Sequence, residues 1–227
     1  MTFGLISARV SFRGINKGGV HMEYRAVGNR CAVILSELGL PISDEEALAI
    51  LIQKGFRVIE VDLIALARGC IGISSHRRGA ALHEAPGVVD CSSFGKWLYA
   101  QRGIWLPRRS IQQRELGVST SPGDIVRGDL VFASGYISYY YDNPLDGVGH
   151  AGIATGDGTV IQALNKDKGV IESSLDAFID RVGFRGVRRY IPQDVEVLTL
   201  ETPPHRGVET SDDLRWIILQ SLPKIVE

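Results

Sequence analysis

The chain has 227 residues, 44% of them hydrophobic and 22% charged, enough apolar material for a buried core and a composition that excludes a disordered chain. Lysine and arginine number 25 against 26 aspartate and glutamate, which argues against nucleic acid or an anionic membrane as the main partner. Three cysteines are too few, and odd in number, for a disulfide framework, and no two stand at zinc-knuckle spacing.

Residues 1–20 are glycine-rich and read as an arm or short strand. Arg9, Arg13 and Lys17 interrupt them, so no apolar leader is read there, and no stretch of the chain reaches transmembrane length. The expected location is cytoplasmic, with a trimmed leader or another export route as the alternative. Apolar periodicity predicts a helix over 23–38, with Cys31 as a small buried hydrophobe, broken by the Gly39 to Pro41 stretch. Ser43-Asp44-Glu45-Glu46 is a capping box, and the helix behind it carries Ala47, Leu48, Leu51 and Ile52 on one side, ending at Gly55. Asp62 caps a further helix over 63–68. A loop rich in Gly, Ser, His and Ala, which begins with a packed Cys70, fills 70–89.

A helix then opens at Cys91, with Phe94, Trp97 and Leu98 as its buried face, and ends near Gly103. An extended piece (104–107) and a short helix (110–116) follow. The period then becomes strand-like. Strands are predicted over 128–133, 150–155, 159–164, 169–172 and 184–191, with a long loop over 136–148, a tight Gly156-Asp157-Gly158 turn, and a short helix over 175–181. Helices first and strands after give an α+β fold, with helices packed on a central antiparallel sheet. After Pro192, Thr202-Pro203-Pro204 reads as a linker and 212–222 as an amphipathic helix through Leu214, Trp216, Ile217, Ile218 and Leu219.

Cys91 and His150 are the candidate nucleophile and base. Asp90 is a good N-cap and puts Cys91 in the first helical turn, where free N–H groups favour a thiolate and an oxyanion. This position is expected to lower the thiol pKa. His150 on a neighbouring strand is placed to accept the thiol proton and return it to the leaving amine. The base needs an orienting group, and Gln162 is the first candidate. Treated as directly facing across a hairpin centred near Gly156, its Cβ lies about 5 Å from that of His150. Asn165 is the fallback. Taken singly, a cysteine at a helix start, a histidine at a strand start and a glutamine in a strand are ordinary structural residues. Together, in this architecture, they point to a thiol hydrolase or acyl transferase. No metal or cofactor is expected. His76 and His83 precede Cys91, but no tight ligand spacing supports a zinc site.

Five segments resemble the NlpC/P60 family of papain-like cysteine peptidases, over about 61–191. Asp90-Cys91-Ser92-Ser93-Phe94 is similar to its Asp-Cys-Ser-Gly-Phe stretch, and Gly103-Ile104-Trp105-Leu106-Pro107-Arg108-Arg109-Ser110-Ile111-Gln112-Gln113 to Gly-Ile-x-Leu-Pro-Arg-x-Ser-x-x-Gln. Gly128-Asp129-Leu130-Val131-Phe132 and His150-Ala151-Gly152-Ile153 match Gly-Asp-Leu-Val-Phe and His-Val-Gly-Ile, and 61–68 matches the opening helix. The resemblance implies a papain-like fold with Cys91 as nucleophile, His150 as base and Gln162 in the place of the third polar residue. It also implies that Asp90 binds a substrate amine and that Ser92 and Ser110 line the pocket. Its substrate would be a cell-wall stem peptide, cut between γ-D-glutamate and a diamino acid. The sequence departs from the pattern in three places. Segment 72–79 lacks the aromatic residues of Tyr-x-Trp/Tyr-Gly-Gly, Ser93 replaces a glycine, and loop 136–148 is long. Tyr139, Tyr140 or Tyr141 supplies the missing phenol or packs the loop, and His76 is a second candidate for the pocket wall.

The expected organisation is a mainly helical extension (1–60), a catalytic domain (61–192) and a tail with a short helix (193–227). The expected activity is a cysteine peptidase or amidase acting through a thioester acyl-enzyme. The alternatives are a deamidase, transacylase or toxin-like effector of the same fold on another amide, or an inactive peptide-binding module. The partner is a peptide substrate, without nucleic acid or a membrane span, and the oligomeric state is left open.

Overall fold

The computed structural model describes residues 15–16, 19–20, 23–180 and 182–223, so Arg9, Arg13 and Lys17 lie outside the described residues. In chain order the strands and α-helices are β1 (Ile15–Asn16), β2 (Gly19–Val20), β3 (Arg30–Val33), α1 (Asp44–Gln53), β4 (Arg57–Val58), α2 (Leu63–Arg68), β5 (Ser75–His76), β6 (Val88–Val89), α3 (Cys91–Gln101), α4 (Ser110–Arg114), β7 (Val118–Thr120), β8 (Leu130–Ala133), β9 (His150–Ala154), β10 (Thr159–Asn165), β11 (Gly169–Ser174), α5 (Asp176–Ile179), β12 (Phe184–Arg189), β13 (Leu198–Glu201) and α6 (Ser211–Leu219). The fold is α+β.

Its centre is a six-stranded sheet in the order β11-β10-β9-β8-β12-β7, antiparallel at every pairing. Side chains alternate between its faces with the period of two that a pleated strand imposes. Leu130, Phe132, Ala151, Ile153, Ile161 and Ala163 form one cluster with Phe94 and Leu98 of α3. Val131, Ala133, Ala154, Val160 and Val187 form another with Phe178 of α5. Asp129, immediately before β8, is a buried carboxylate. It accepts Arg189 Nε at 3.0 Å and Nη2 at 2.8 Å, and the Val126 N–H at 3.0 Å. This fork pins β12 to β8 and gives the aspartate of the Gly-Asp-Leu-Val-Phe stretch a structural reason.

A second, three-stranded sheet in the order β3-β13-β4 packs with α1 and α6 around Cys31, Val33, Leu51, Phe56, Leu200, Leu214 and Ile218. The capping box at Ser43 forms, with Glu46 N–H donating to Ser43 Oγ at 3.2 Å and Ser43 N–H to Glu46 Oε2 at 2.9 Å.

The predicted helix over 23–38 is corrected here. Residues 30–33 are strand β3, and only Leu35–Glu37 forms a single 3-10 turn. The cause is a distant partner: Val33, Ala32, Cys31 and Arg30 pair with Leu198, Thr199, Leu200 and Glu201 of β13. That pairing overrides local helical periodicity. The tail is likewise more than a linker and a helix, because β13 is the central strand of this sheet and Thr202 N–H donates to Asn29 O at 2.8 Å. The loop over 70–89 contains the parallel pair β5 and β6.

The three-stranded sheet is tied to the C-terminal end of α3 at Gly103. Its carbonyl accepts the Ala32 N–H at 3.1 Å, and its φ is +70°. A Cβ there would stand 2.6 Å from Cys31 N and 2.8 Å from Ala32 N, so only glycine fits this crossing. Tyr24 adds a second tie, its hydroxyl donating to Tyr190 O at 2.9 Å. Among the described residues, no helix is long and apolar enough to cross a membrane.

Candidate active site

A cleft of about 720 Å³ is lined by residues of α3, α4, β9, the loop before α3 and the 136–149 loop, with Cys91 and His150 on its wall. Cys91 is the first residue of α3, capped by Asp90, and its Sγ–H points to Gly149 O at 3.7 Å. His150 opens β9 and is buried. Its Nε2 lies 2.6 Å from Gln162 Oε1, and Gln162 Nε2 donates onward to Ser173 Oγ at 2.7 Å. A carbonyl oxygen only accepts, so His150 Nε2 carries the proton, and in the neutral ring Nδ1 holds the lone pair. The ring also stacks on Phe178, with centroids 5.8 Å apart and planes 25° from parallel.

The predicted facing of His150 and Gln162 needs one correction. The register pairs Val160 with Ala154 and Ile161 with Ile153, which continues to Gln162 opposite Gly152. Gln162 is thus a diagonal neighbour of His150, two residues along. A shift of two keeps both side chains on one face of the sheet. Gly152 makes the diagonal reach possible: a Cβ there would stand 3.3 Å from Gln162 Cβ and 2.6 Å from Val160 Cγ2. The fallback residue, Asn165, also lines the cleft, but its Oδ1 accepts the N–H groups of Asp167 at 3.1 Å and Lys168 at 3.0 Å and so closes a turn.

The Cys91 thiol differs from the expectation of a lowered pKa. Burial and the neighbouring Asp90 carboxylate push it up to about 11, against the pull of the Ala151 and Ser92 N–H groups and Arg108. The helix N-terminus contributes, but the N-cap carboxylate and desolvation outweigh it.

Asp90 is buried and its oxygens are filled. Oδ1 accepts from Ser93 N–H at 2.8 Å, Ser92 Oγ at 3.1 Å and Arg108 Nη1 at 3.0 Å, and Oδ2 accepts from Arg108 Nη2 at 2.6 Å and Gly79 N–H at 2.9 Å. Burial raises its pKa, but the Arg108 fork and the Ser93 and Gly79 amides win, and the net shift is downward. Ser92 Oγ also accepts Arg108 Nη1 at 2.8 Å, and Ser93 Oγ accepts the Asp90 N–H at 2.8 Å to close the capping box. Gln113 Nε2 ties Ser92 O at 2.9 Å to Pro107 O at 3.0 Å, which fixes α4 and its buried Ser110 beside the cleft.

Sequence reasoning gives Arg108 only a place in the Gly-Ile-x-Leu-Pro-Arg-x-Ser-x-x-Gln stretch and gives Ser173 and Phe178 no role; Arg108 is explained by its pairing with Asp90. Phe178 and Ser173 gave no signal, since both act through tertiary placement. His76 and Tyr139 both line the cleft, while Tyr140 and Tyr141 are exposed and lie outside its wall. Burial lowers the His76 pKa, opposed by the Asp90 charge. Among the described residues no cluster of His, Cys, Asp and Glu is arranged to hold a metal ion.

An α+β domain that carries a thiol at a helix start and an amide-held imidazole on the adjoining sheet defines the class of this protein. Residues 76–188 match the model of the NlpC/P60 family, and through that segment the chain belongs to the family. It is 37% identical over 91 residues to a probable endopeptidase of Corynebacterium glutamicum, across 40% of this chain and 38% of that one. It is 30% identical over 105 residues to the gamma-D-glutamyl-L-lysine dipeptidyl-peptidase of Bacillus cereus, across 45% and 29%. The chain thus spans well under half the length of either relative. A crystal structure of an NlpC/P60 family protein from Bacillus cereus aligns at 25% identity over 58% of this chain and 40% of that chain, with a TM-score of 0.45.

Proposed function

We propose that this protein is a cysteine peptidase that hydrolyses a γ-D-glutamyl amide bond in peptides of the peptidoglycan type. The observation that carries the reading is the His150–Gln162 hydrogen bond at 2.6 Å, on a histidine that shares its cleft with a helix-start cysteine. It supports the tautomer in which His150 Nδ1 carries the lone pair that a general base needs. The relatives supply the substrate class, since one is named for the γ-D-glutamyl-L-lysine bond.

In this mechanism the thiol rests neutral. As Cys91 Sγ attacks the carbonyl carbon, its proton passes to His150 Nδ1, and the oxyanion lies near the N–H groups of the α3 first turn. The C–N bond breaks as His150 returns the proton to the amine. Water, deprotonated by the same ring, then cleaves the thioester and regenerates the thiol. Gln162 holds the ring, Ser92 and Ser110 line the pocket, and Asp90 acts through its pair with Arg108 or meets a substrate amine. The unit 61–192 carries this chemistry, and the segments 1–60 and 193–227 flank it.

Digestion of stem peptides and muropeptides, read by mass spectrometry, tests the proposal. A γ-glutamyl cut made by the parent and lost in Cys91→Ala is expected. Equal cutting by both proteins would refute it.

A further inference from the structure

The cleft is more basic than the chain. Arg78, Arg108 and Arg109 stand on its wall against one carboxylate, Asp90, although the whole protein has a formal net charge of −1. Arg108 is neutralised by Asp90. Elsewhere Arg68, Arg77, Arg127 and Arg189 each pair with a carboxylate. Arg78 and Arg109 differ from Arg108 on the same wall. Among the described residues neither has an acidic partner, and both converge on Tyr139. Arg78 Nη2 donates to Tyr139 Oη at 2.9 Å, and the Arg109 guanidinium carbon stands 5.3 Å from the centroid of the Tyr139 ring.

We infer that Arg78, Arg109 and Tyr139 form a carboxylate-binding wall that selects peptides bearing a free carboxylate beside the scissile amide; this rests on the hydrolytic reading above. Each guanidinium has five donors in a planar fork, suited to a bidentate carboxylate, and Tyr139 occupies one donor of Arg78. The phenol sets the position of one guanidinium and supports the other, which reduces the order lost on binding. A cleft of one sign also concentrates anionic ligands from solution. A γ-glutamyl amide uses the side-chain carboxyl and leaves the α-carboxylate free on the same residue, so this bond carries the matching anion. The wall joins two departures from the family pattern: Arg78 lies in the segment that lacks the usual aromatics, and Tyr139 in the lengthened loop.

Two stem peptides that differ only at this group test the inference, one with the free γ-glutamyl α-carboxylate and one with its carboxamide. The parent is expected to favour the acid at least ~10-fold in kcat/KM, about 1.4 kcal/mol. The ratio is expected to fall toward one in the Arg78→Gln/Arg109→Gln double variant and to be partly kept with lysine at both positions. Comparing two peptides on one protein keeps a general loss of activity from imitating the effect. A parent ratio of one, or a ratio kept in the double glutamine variant, would overturn the wall while leaving the peptidase reading intact. If the parent cuts neither peptide, that reading fails separately, and titration of both peptides into Cys91→Ala decides the wall. Tighter binding of the acid supports it, and equal binding overturns it.

Discussion

Gln162 reaches His150 across the vacant side-chain position of Gly152, and its Oε1 meets the imidazole Nε2 at 2.6 Å. The contact depends on a missing Cβ as much as on the two polar groups. A methyl at 152 would crowd Val160 Cγ2 at 2.6 Å, inside a strand whose β-branched neighbour has little χ1 freedom. Gln162→Ala is therefore expected to lower kcat by about 10- to 100-fold with a smaller change in KM, as loss of an orienting group should. Gly152→Ala is expected to lower kcat as well and to destabilise the fold by about 1–3 kcal/mol through overpacking. Steady-state kinetics and chemical denaturation check both. Unchanged kcat in both variants would remove Gln162 from the mechanism.

The resting Cys91 thiol is neutral near pH 7, because burial and Asp90 raise it to about 11. Alkylation of Cys91 by iodoacetamide, without substrate, is expected to rise with pH through 8 and 9 toward that value. Asp90→Asn removes the anion that helps raise it, so the profile should move to lower pH. A plateau of alkylation already reached below pH 7 in the parent would mean a preformed thiolate and would contradict this assignment.

Asp90→Asn also removes the charged partner of Arg108, and it is expected to destabilise the protein by about 2 kcal/mol at neutral pH. The sign follows from the lowered Asp90 pKa. The folded state binds the ionised form better, so this stability is present above the ordinary carboxylate range, near pH 4. It disappears as pH falls through the depressed value in the folded state. Denaturation curves of parent and variant should converge on acidification, and a constant difference down to pH 2 would contradict the pairing.

Gly103→Ala should loosen the junction between the end of α3 and β3. Its Cβ would overlap the backbone at Cys31 and Ala32, at a φ of +70°. A loss of at least about 2 kcal/mol is expected, because left-handed strain adds to a clash with main-chain atoms that have no rotamer to change. Thermal unfolding checks this, and a Tm within a degree of the parent would show that the junction yields.

The elements that carry the candidate site were legible because their signals are local. An N-cap aspartate, a helix-start cysteine, a Gly-Asp-Gly turn and alternating strands each act within a few residues. The register was not legible to better than two residues, since both placements of Gln162 leave the same faces buried. Strand β3 was missed because its partner, β13, lies more than 160 residues away, and its short apolar run fits either period. The thiol pKa was misjudged because the sequence displays the helix start but not the depth of the sulfur. The neighbouring Asp90 was visible as a cap, and its charge was left out of the balance.

The most direct test of the central claim is the acyl-enzyme. Rapid-quench mass spectrometry with a γ-D-glutamyl anilide should show the parent gaining the mass of the γ-glutamyl acyl group on the peptide that contains Cys91. The adduct should be absent in Cys91→Ala and slow to form in His150→Ala. Turnover of the anilide with no adduct at Cys91, or turnover by Cys91→Ala, would contradict a cysteine nucleophile in this cleft.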